Sequence, residues 1–173
     1  MIKAQIPAQP QDVTTFSLSV QNLVDPSTGD LVFIPPVTLY VNPTEMNFAY
    51  RKLINRYETR AAIIEEHWGD ELDVISIEGS TGAFFGDFGL SVAQRHESYA
   101  MINFQEILAL YRNNACIYDG NGAVISQGDV VITFDNYLIT GQFQNFSFDE
   151  TADDPFRFTF NFSFEAFSTQ VGG

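Results

Sequence analysis

The chain has 173 residues, 8 Lys+Arg against 22 Asp+Glu for a net charge of −14, and 45% hydrophobic residues that include 17 Phe. Its length supports one domain with a real core, and its apolar share excludes a disordered tail. The acidic balance excludes a free-standing binder of DNA or of anionic membranes, because phosphate contacts need Lys and Arg.

The single Cys116 excludes an internal disulfide framework. No apolar run approaches the ~18 residues of a membrane-spanning helix. No basic-then-apolar leader opens the chain, so the expectation is a protein made in the cytoplasm and kept in solution.

Residues 1–15 read as an extended N-terminal arm, with Pro7, Pro10 and three Gln in the first twelve positions. Phe16 to Val20 alternates as a strand does, and residues 25–30, Asp-Pro-Ser-Thr-Gly-Asp, make a turn. Leu31 to Ile34 and Val37 to Val41 are short strand-like runs. Pro35 and Pro36 separate them, since neither has an N–H to give a ladder.

Asn42-Pro43 opens the next unit. Met46, Phe48 and Tyr50 alternate, after which the pattern shifts parity to Leu53, Asn55 and Tyr57, which predicts a bulge or kink. Arg51, Lys52, Arg56 and Arg60 place half of the basic residues within ten positions, where Glu58 leaves a net +3. One reading is a solvated strand face. The other makes these four residues a subunit interface that meets an acidic patch on a neighbouring copy.

Ala61 to Glu65 and Leu72 to Ile77 read as strands on either side of His67-Trp68-Gly69-Asp70. Residues 78–85, Glu-Gly-Ser-Thr-Gly-Ala-Phe-Phe, lack the Lys and the spacing of a phosphate loop. Their glycines suit a bend in a sheet or the close approach of another segment. Tyr99 to Asn113 is a helix, with Met101, Phe104, Leu108 and Tyr111 on one stripe that Ile107 and Leu110 widen. Ser98 caps its start and Asn113-Asn114 suits its end. Asp119-Gly120-Asn121-Gly122 is a tight hairpin turn rather than a calcium loop, lacking the twelve-residue ligand pattern.

Val130 to Phe134, Asp135-Asn136, and Tyr137 onward fit a two-residue hairpin. Its register opposes Phe134 to Tyr137, Ile132 to Ile139 and Val130 to Gly141. Apolar parity then jumps from Phe143 to Phe146 and Phe148, implying a second bulge. After the loop of residues 150–155, the alternating Phe156, Phe158, Phe160, Phe162 and Phe164 define a strand with one buried face. Burying those five rings is worth roughly 8–15 kcal/mol before entropy.

The pattern describes a single, mainly β domain over residues 1–173: an antiparallel β-barrel or sandwich of eight to ten strands with one flanking α-helix. It contains no catalytic, cofactor-binding or metal-ligating set. His67 and His96 lie far apart outside any metal-spacing motif, and Cys116 has no nearby His. Paired carboxylates could serve a glycosidase. In so acidic a chain, however, Glu65-Glu66, Asp70-Glu71-Asp73 and Asp149-Glu150-Asp153-Asp154 read as solvated loops. The expectation is a protein that is not an enzyme and needs no cofactor.

Several of these stretches, in this order, resemble tailed-bacteriophage virion proteins of the tail tube and baseplate hub type. They are Asn42-Pro43 with the basic strand, His67-Trp68-Gly69-Asp70, residues 75–85, and the helix that leads to Gly128-Asp129-Val130. Residues 141–148 and Asp154-Pro155-Phe156 with the Phe strand complete them, so the resemblance spans residues 37–167. It implies a tail-tube-like β domain of the virion tail, assembling with itself in a ring that is most often a hexamer. Other tail or baseplate proteins would be its partners, DNA only a non-specific cargo in the channel, and no membrane would be involved. The Pro-rich arm and residues 68–85 lean towards a baseplate hub or tube-end ring over the repeated tube subunit. An acidic channel wall would repel phosphates and let DNA slide.

The competing class is a monomeric carbohydrate-binding β-sandwich module. It requires a platform of exposed aromatics, for which Trp68, Tyr99, Tyr118 and Tyr137 are the candidates.

Overall fold

The computed structural model describes residues 15–39, 41–50, 52–60, 62–70, 72–82, 97–151 and 153–171. Eleven strands and one helix run through them in the order β1 Ser17–Gln21, β2 Val37–Thr38, β3 Glu45–Ala49, β4 Lys52–Glu58, β5 Ile63–Asp70, β6 Asp73–Ser80, α1 Tyr99–Asn113, β7 Cys116–Tyr118, β8 Val124–Gln127, β9 Asp129–Phe134, β10 Tyr137–Thr151 and β11 Asp154–Val171. Seven strands form one antiparallel sheet ordered β2-β1-β9-β10-β11-β6-β3. β4 with β5, and β7 with β8, form separate two-stranded ribbons.

Mainly β, antiparallel and, among the described residues, with one helix, the fold matches the expected class. Among the described residues no barrel closes, because edge strands β2 and β3 do not pair with each other. The sheet nevertheless curls. Strands three positions apart in a flat sheet are ~14 Å distant. Here Phe16, next to β1, has its ring centroid 6.4 Å from Phe162 of β11, and Phe48 of β3 is 5.8 Å from Tyr137 of β10.

The concave face is filled by the Phe strand. Phe158, Phe160, Phe162 and Phe164 are buried while Arg157, Thr159 and Asn161 are exposed, as a period of two requires. Phe146 stacks with Phe160 at 6.2 Å and with Phe162 at 6.1 Å. Helix α1 covers this face. Phe104 meets Phe148 edge-on at 5.2 Å and Phe158 at 5.1 Å, geometries that suit the ring quadrupoles.

The Ser98 hydroxyl accepts from the Met101 N–H at 3.2 Å and so caps α1, and Asn114 ends it in the left-handed region at φ 46°. The buried stripe is centred differently from the expected one. It runs through Ala100, Met101, Asn103, Phe104, Ile107 and Leu110, with Leu108 only half-buried. Buried Asn103 belongs there because its amide donates to the Thr38 carbonyl at 2.8 Å, tying α1 to β2.

The β9–β10 hairpin has the expected register, with Asp135 at φ 52° in its turn. The expected bulge after Phe143 is present as a register shift between Phe143 and Asn145. Two readings need correction. Leu31 to Ile34 is not a strand: only a Val24–Leu31 bridge forms, ahead of the two prolines. His67 to Asp70 does not separate two strands but lies within β5, because its backbone continues the ladder to Lys52.

Candidate assembly interface

Chain direction positions the most exposed element. β3 runs into β4, and β5 into β6, across two residues each, so the β3–β6 ladder at the sheet edge continues outward as the β4–β5 ribbon. The parity shift foreseen near Leu53 appears twice, as this break and as a register shift between Leu53 and Ile54. At the tip, the Thr59 N–H donates to the Ala62 carbonyl at 2.9 Å, and the Thr59 hydroxyl accepts from the Ala62 N–H at 3.0 Å.

The ribbon carries apolar side chains without a core. Leu53, Ile54, Tyr57, Ile63 and Ile64 are all exposed, Ile63 to 63%. By alternation Leu53, Tyr57 and Ile64 share one face, and Ile54 and Ile63 the other. A two-stranded ribbon is marginal alone in water, so exposing this much apolar surface on it has no benefit to the free domain.

The four cations proposed for an interface are distributed as follows. Lys52 and Arg56 fall on one face of β4, Arg60 is exposed at the ribbon tip, and Arg51 lies outside the described residues. The Arg56 Nε stands 2.8 Å from Glu65 Oε1 on the neighbouring strand, with side-chain exposures of 68% and 42%. His67 Nε2 is 3.8 Å from the other Glu65 oxygen. An exposed pair of this kind contributes ~0.2–1 kcal/mol. It organises a surface more than it stabilises a fold.

Elsewhere the chemistry is sparse. An apolar groove of about 460 Å³ runs between α1 and residues 32–37, lined by Leu23, Val32, Pro36, Leu110 and Cys116 among others. The Cys116 thiol donates to the Asn114 carbonyl at 3.3 Å. Next to it, the Tyr118 hydroxyl titrates above its ordinary value, chiefly through desolvation and secondarily through Cys116. His96 lies outside the described residues. Among the described residues no three His, Cys, Asp or Glu side chains converge in a way that could hold a metal ion.

The glycine-rich run has a structural role at its described end. A Cβ on Gly79 would approach Phe160 Cζ at 2.9 Å, so the missing side chain makes room for the ring. Buried Thr81 gives its N–H to the Phe158 carbonyl at 3.0 Å and its hydroxyl accepts from the Phe158 N–H at 3.1 Å. Residues 83–85 of the run lie outside the described residues.

The four candidate aromatics for a sugar platform sit on four different elements, Trp68 among them in β5. Tyr99 opens α1, Tyr118 ends β7, and Tyr137 starts β10 where it packs against Phe48.

No family model matches the chain, and no curated protein matches it. Among solved structures it is similar to a chain of the sheath/tube terminator of an extracellular contractile injection system, PVC, in the extended state, at 10% identity over 100% of both chains and a TM-score of 0.39. It is similar to a chain of the extended PVC sheath–tube complex at 11% identity over 99% of both, TM-score 0.37. A chain from the tail of an empty GTA particle of C6 symmetry is similar at 11% identity over 90% of this chain and 96% of that one, TM-score 0.36.

Proposed function

We propose that this protein is a non-catalytic structural subunit of a phage-type tail, a baseplate or tube-end ring or the tube subunit itself, that assembles with copies of itself around a DNA channel. The observation that carries self-assembly is the β4–β5 ribbon. Its two faces hold five exposed large apolar side chains, and among the described residues neither strand pairs beyond its sister. Edges and apolar faces of this kind must be covered to avoid uncontrolled association. A ring of identical subunits covers them without leaving ends. The assignment to a tail follows from the sequence resemblance over residues 37–167, and six-fold symmetry is part of it.

Sedimentation of the full chain over a concentration and salt series tests this reading. The charge of −14 per subunit opposes association at low salt, so added salt is expected to promote it. Tyr57→Ser with Ile64→Ser is expected to keep the far-UV spectrum and thermal transition while shifting association to higher concentration. A wild-type chain that stays monomeric throughout, alone and with tail partners, and binds immobilised polysaccharide would move the carbohydrate-binding module into first place.

A further inference from the structure

The β4–β5 ribbon is electrically polar across its width. Residues 51–60 hold four cations and Glu58, net +3. Residues 62–71 hold Glu65, Glu66, Asp70 and Glu71, net −4 with His67 neutral. The two strands are antiparallel, and among the described residues each pairs only with the other, leaving edge strands of opposite sign: β4 with Lys52, Arg56 and Glu58, net +1, and β5 with Glu65, Glu66 and Asp70, net −3. Arg56 against Glu65 at 2.8 Å shows the pairing that this segregation produces inside one chain.

We infer that the ribbon joins a second copy of this chain head-to-tail, β4 of one subunit beside β5 of the next, and that its charge segregation selects this polarity over a two-fold pairing. The inference rests on the self-assembly reading above. A two-fold contact through β4 centred on Ile54 would set Lys52 against Arg56 of the other copy, and one through β5 centred between Glu65 and Glu66 would set those two against each other. Like charges directly opposite in a sheet destabilise it. Head-to-tail pairing instead repeats across the junction the Arg56–Glu65 geometry of the hairpin itself. Every strand also stays antiparallel to its neighbours, and exposed backbone N–H and C=O groups on both edges find partners. A heterologous contact of this kind closes as a ring when its rotation permits and otherwise propagates as a filament.

Two charge-reversed full-length chains test the polarity by sedimentation velocity. One carries Lys52→Glu and Arg56→Glu, which takes β4 from +1 to −3; the other carries Glu65→Lys and Glu66→Lys, which takes β5 from −3 to +1. Each alone is expected to need an about tenfold or greater concentration to associate, and an equimolar mixture to associate as wild type does. Mixing cannot repair a defect inside one hairpin, so rescue reports contacts between copies. A mixture no better than its components, or single variants that associate like wild type, overturns the head-to-tail inference while leaving self-assembly intact. A wild-type chain that never associates sinks both.

Crosslinking covers variants that fail to fold. Asn55→Cys and Glu66→Cys are placed in separate, otherwise native-charged chains in a Cys116→Ser background. Oxidation of the mixture is expected to give 55–66 crosslinks between chains in excess of 55–55 and 66–66. The reverse order overturns the inference.

Discussion

Asn114 takes the place of a missing strand for Phe143. The Phe143 N–H donates to Asn114 Oδ1 at 2.9 Å, and Asn114 Nδ2 donates to the Phe143 carbonyl at 3.1 Å. The last partner pair between β9 and β10 is Val130 with Gly141, so at Phe143 the backbone has lost β9 just before the bulge. The residue that ends α1 supplies both bonds, which fixes the helix over the Phe-lined face. Asn114→Gly tolerates the left-handed φ but removes the clamp, and is expected to cost about 1–3 kcal/mol. Asn114→Ala adds backbone strain of roughly 1 kcal/mol more. Denaturant titration of both variants checks the order.

Phe160→Ala is expected to cost ~3–5 kcal/mol, because the ring is buried between Phe146, Phe162 and the backbone at Gly79. Thr159→Ala, on the exposed face of the same strand, should stay within ~0.5 kcal/mol. Equal losses in chemical denaturation would mean that both faces of β11 are buried in the folded domain.

Gly141 faces β11 so closely that a Cβ would run into the Glu165 carbonyl oxygen and reach Phe164 Cε1 at 2.8 Å. Backbone cannot move aside as a side-chain tip can. Gly141→Ala should therefore fall at the upper end of the ~1–3 kcal/mol overpacking range, with the thermal transition as the readout.

Two turns should respond to acid. Asp25 titrates below the ordinary aspartate value, first because its carboxylate accepts from the Ser27 hydroxyl and then from the Ser27 N–H. Asp119 is lowered by accepting from the N–H groups of Ala123 and Asn121. A depressed carboxyl contributes stability that is complete above its unfolded value of ~3.9 and is lost as pH falls through the lower folded value. Side-chain carbon shifts of the two residues in a pH titration should have midpoints below that of an unfolded control. Asp119→Asn should flatten the response of the β7–β8 turn.

Local patterns carried much of the fold into the sequence itself. The alternating Phe of residues 156–164, the Asp135-Asn136 turn and the parity jump beyond Phe143 specified a one-sided strand, a hairpin register and a bulge. Each depends on the two-residue period of a pleated chain and on which residues accept positive φ. The Tyr99–Asn113 helix was legible for the same reason, through its period and its Ser98 cap. The exact centre of its buried stripe was not, because Asn103 becomes a core residue only when Thr38, 65 positions away, presents a free carbonyl. Nor did local pattern show that the Leu53–Ile64 region leaves the sheet. Its apolar residues look like those of any buried strand, and their exposure follows from where the β3–β6 edge ends in space. The cluster of basic residues was visible in the chain, whereas the acidic strand lying against it was not. That juxtaposition is a property of antiparallel pairing between residues 52–58 and 63–70, and tertiary structure alone converts two runs of charge into one polar ribbon.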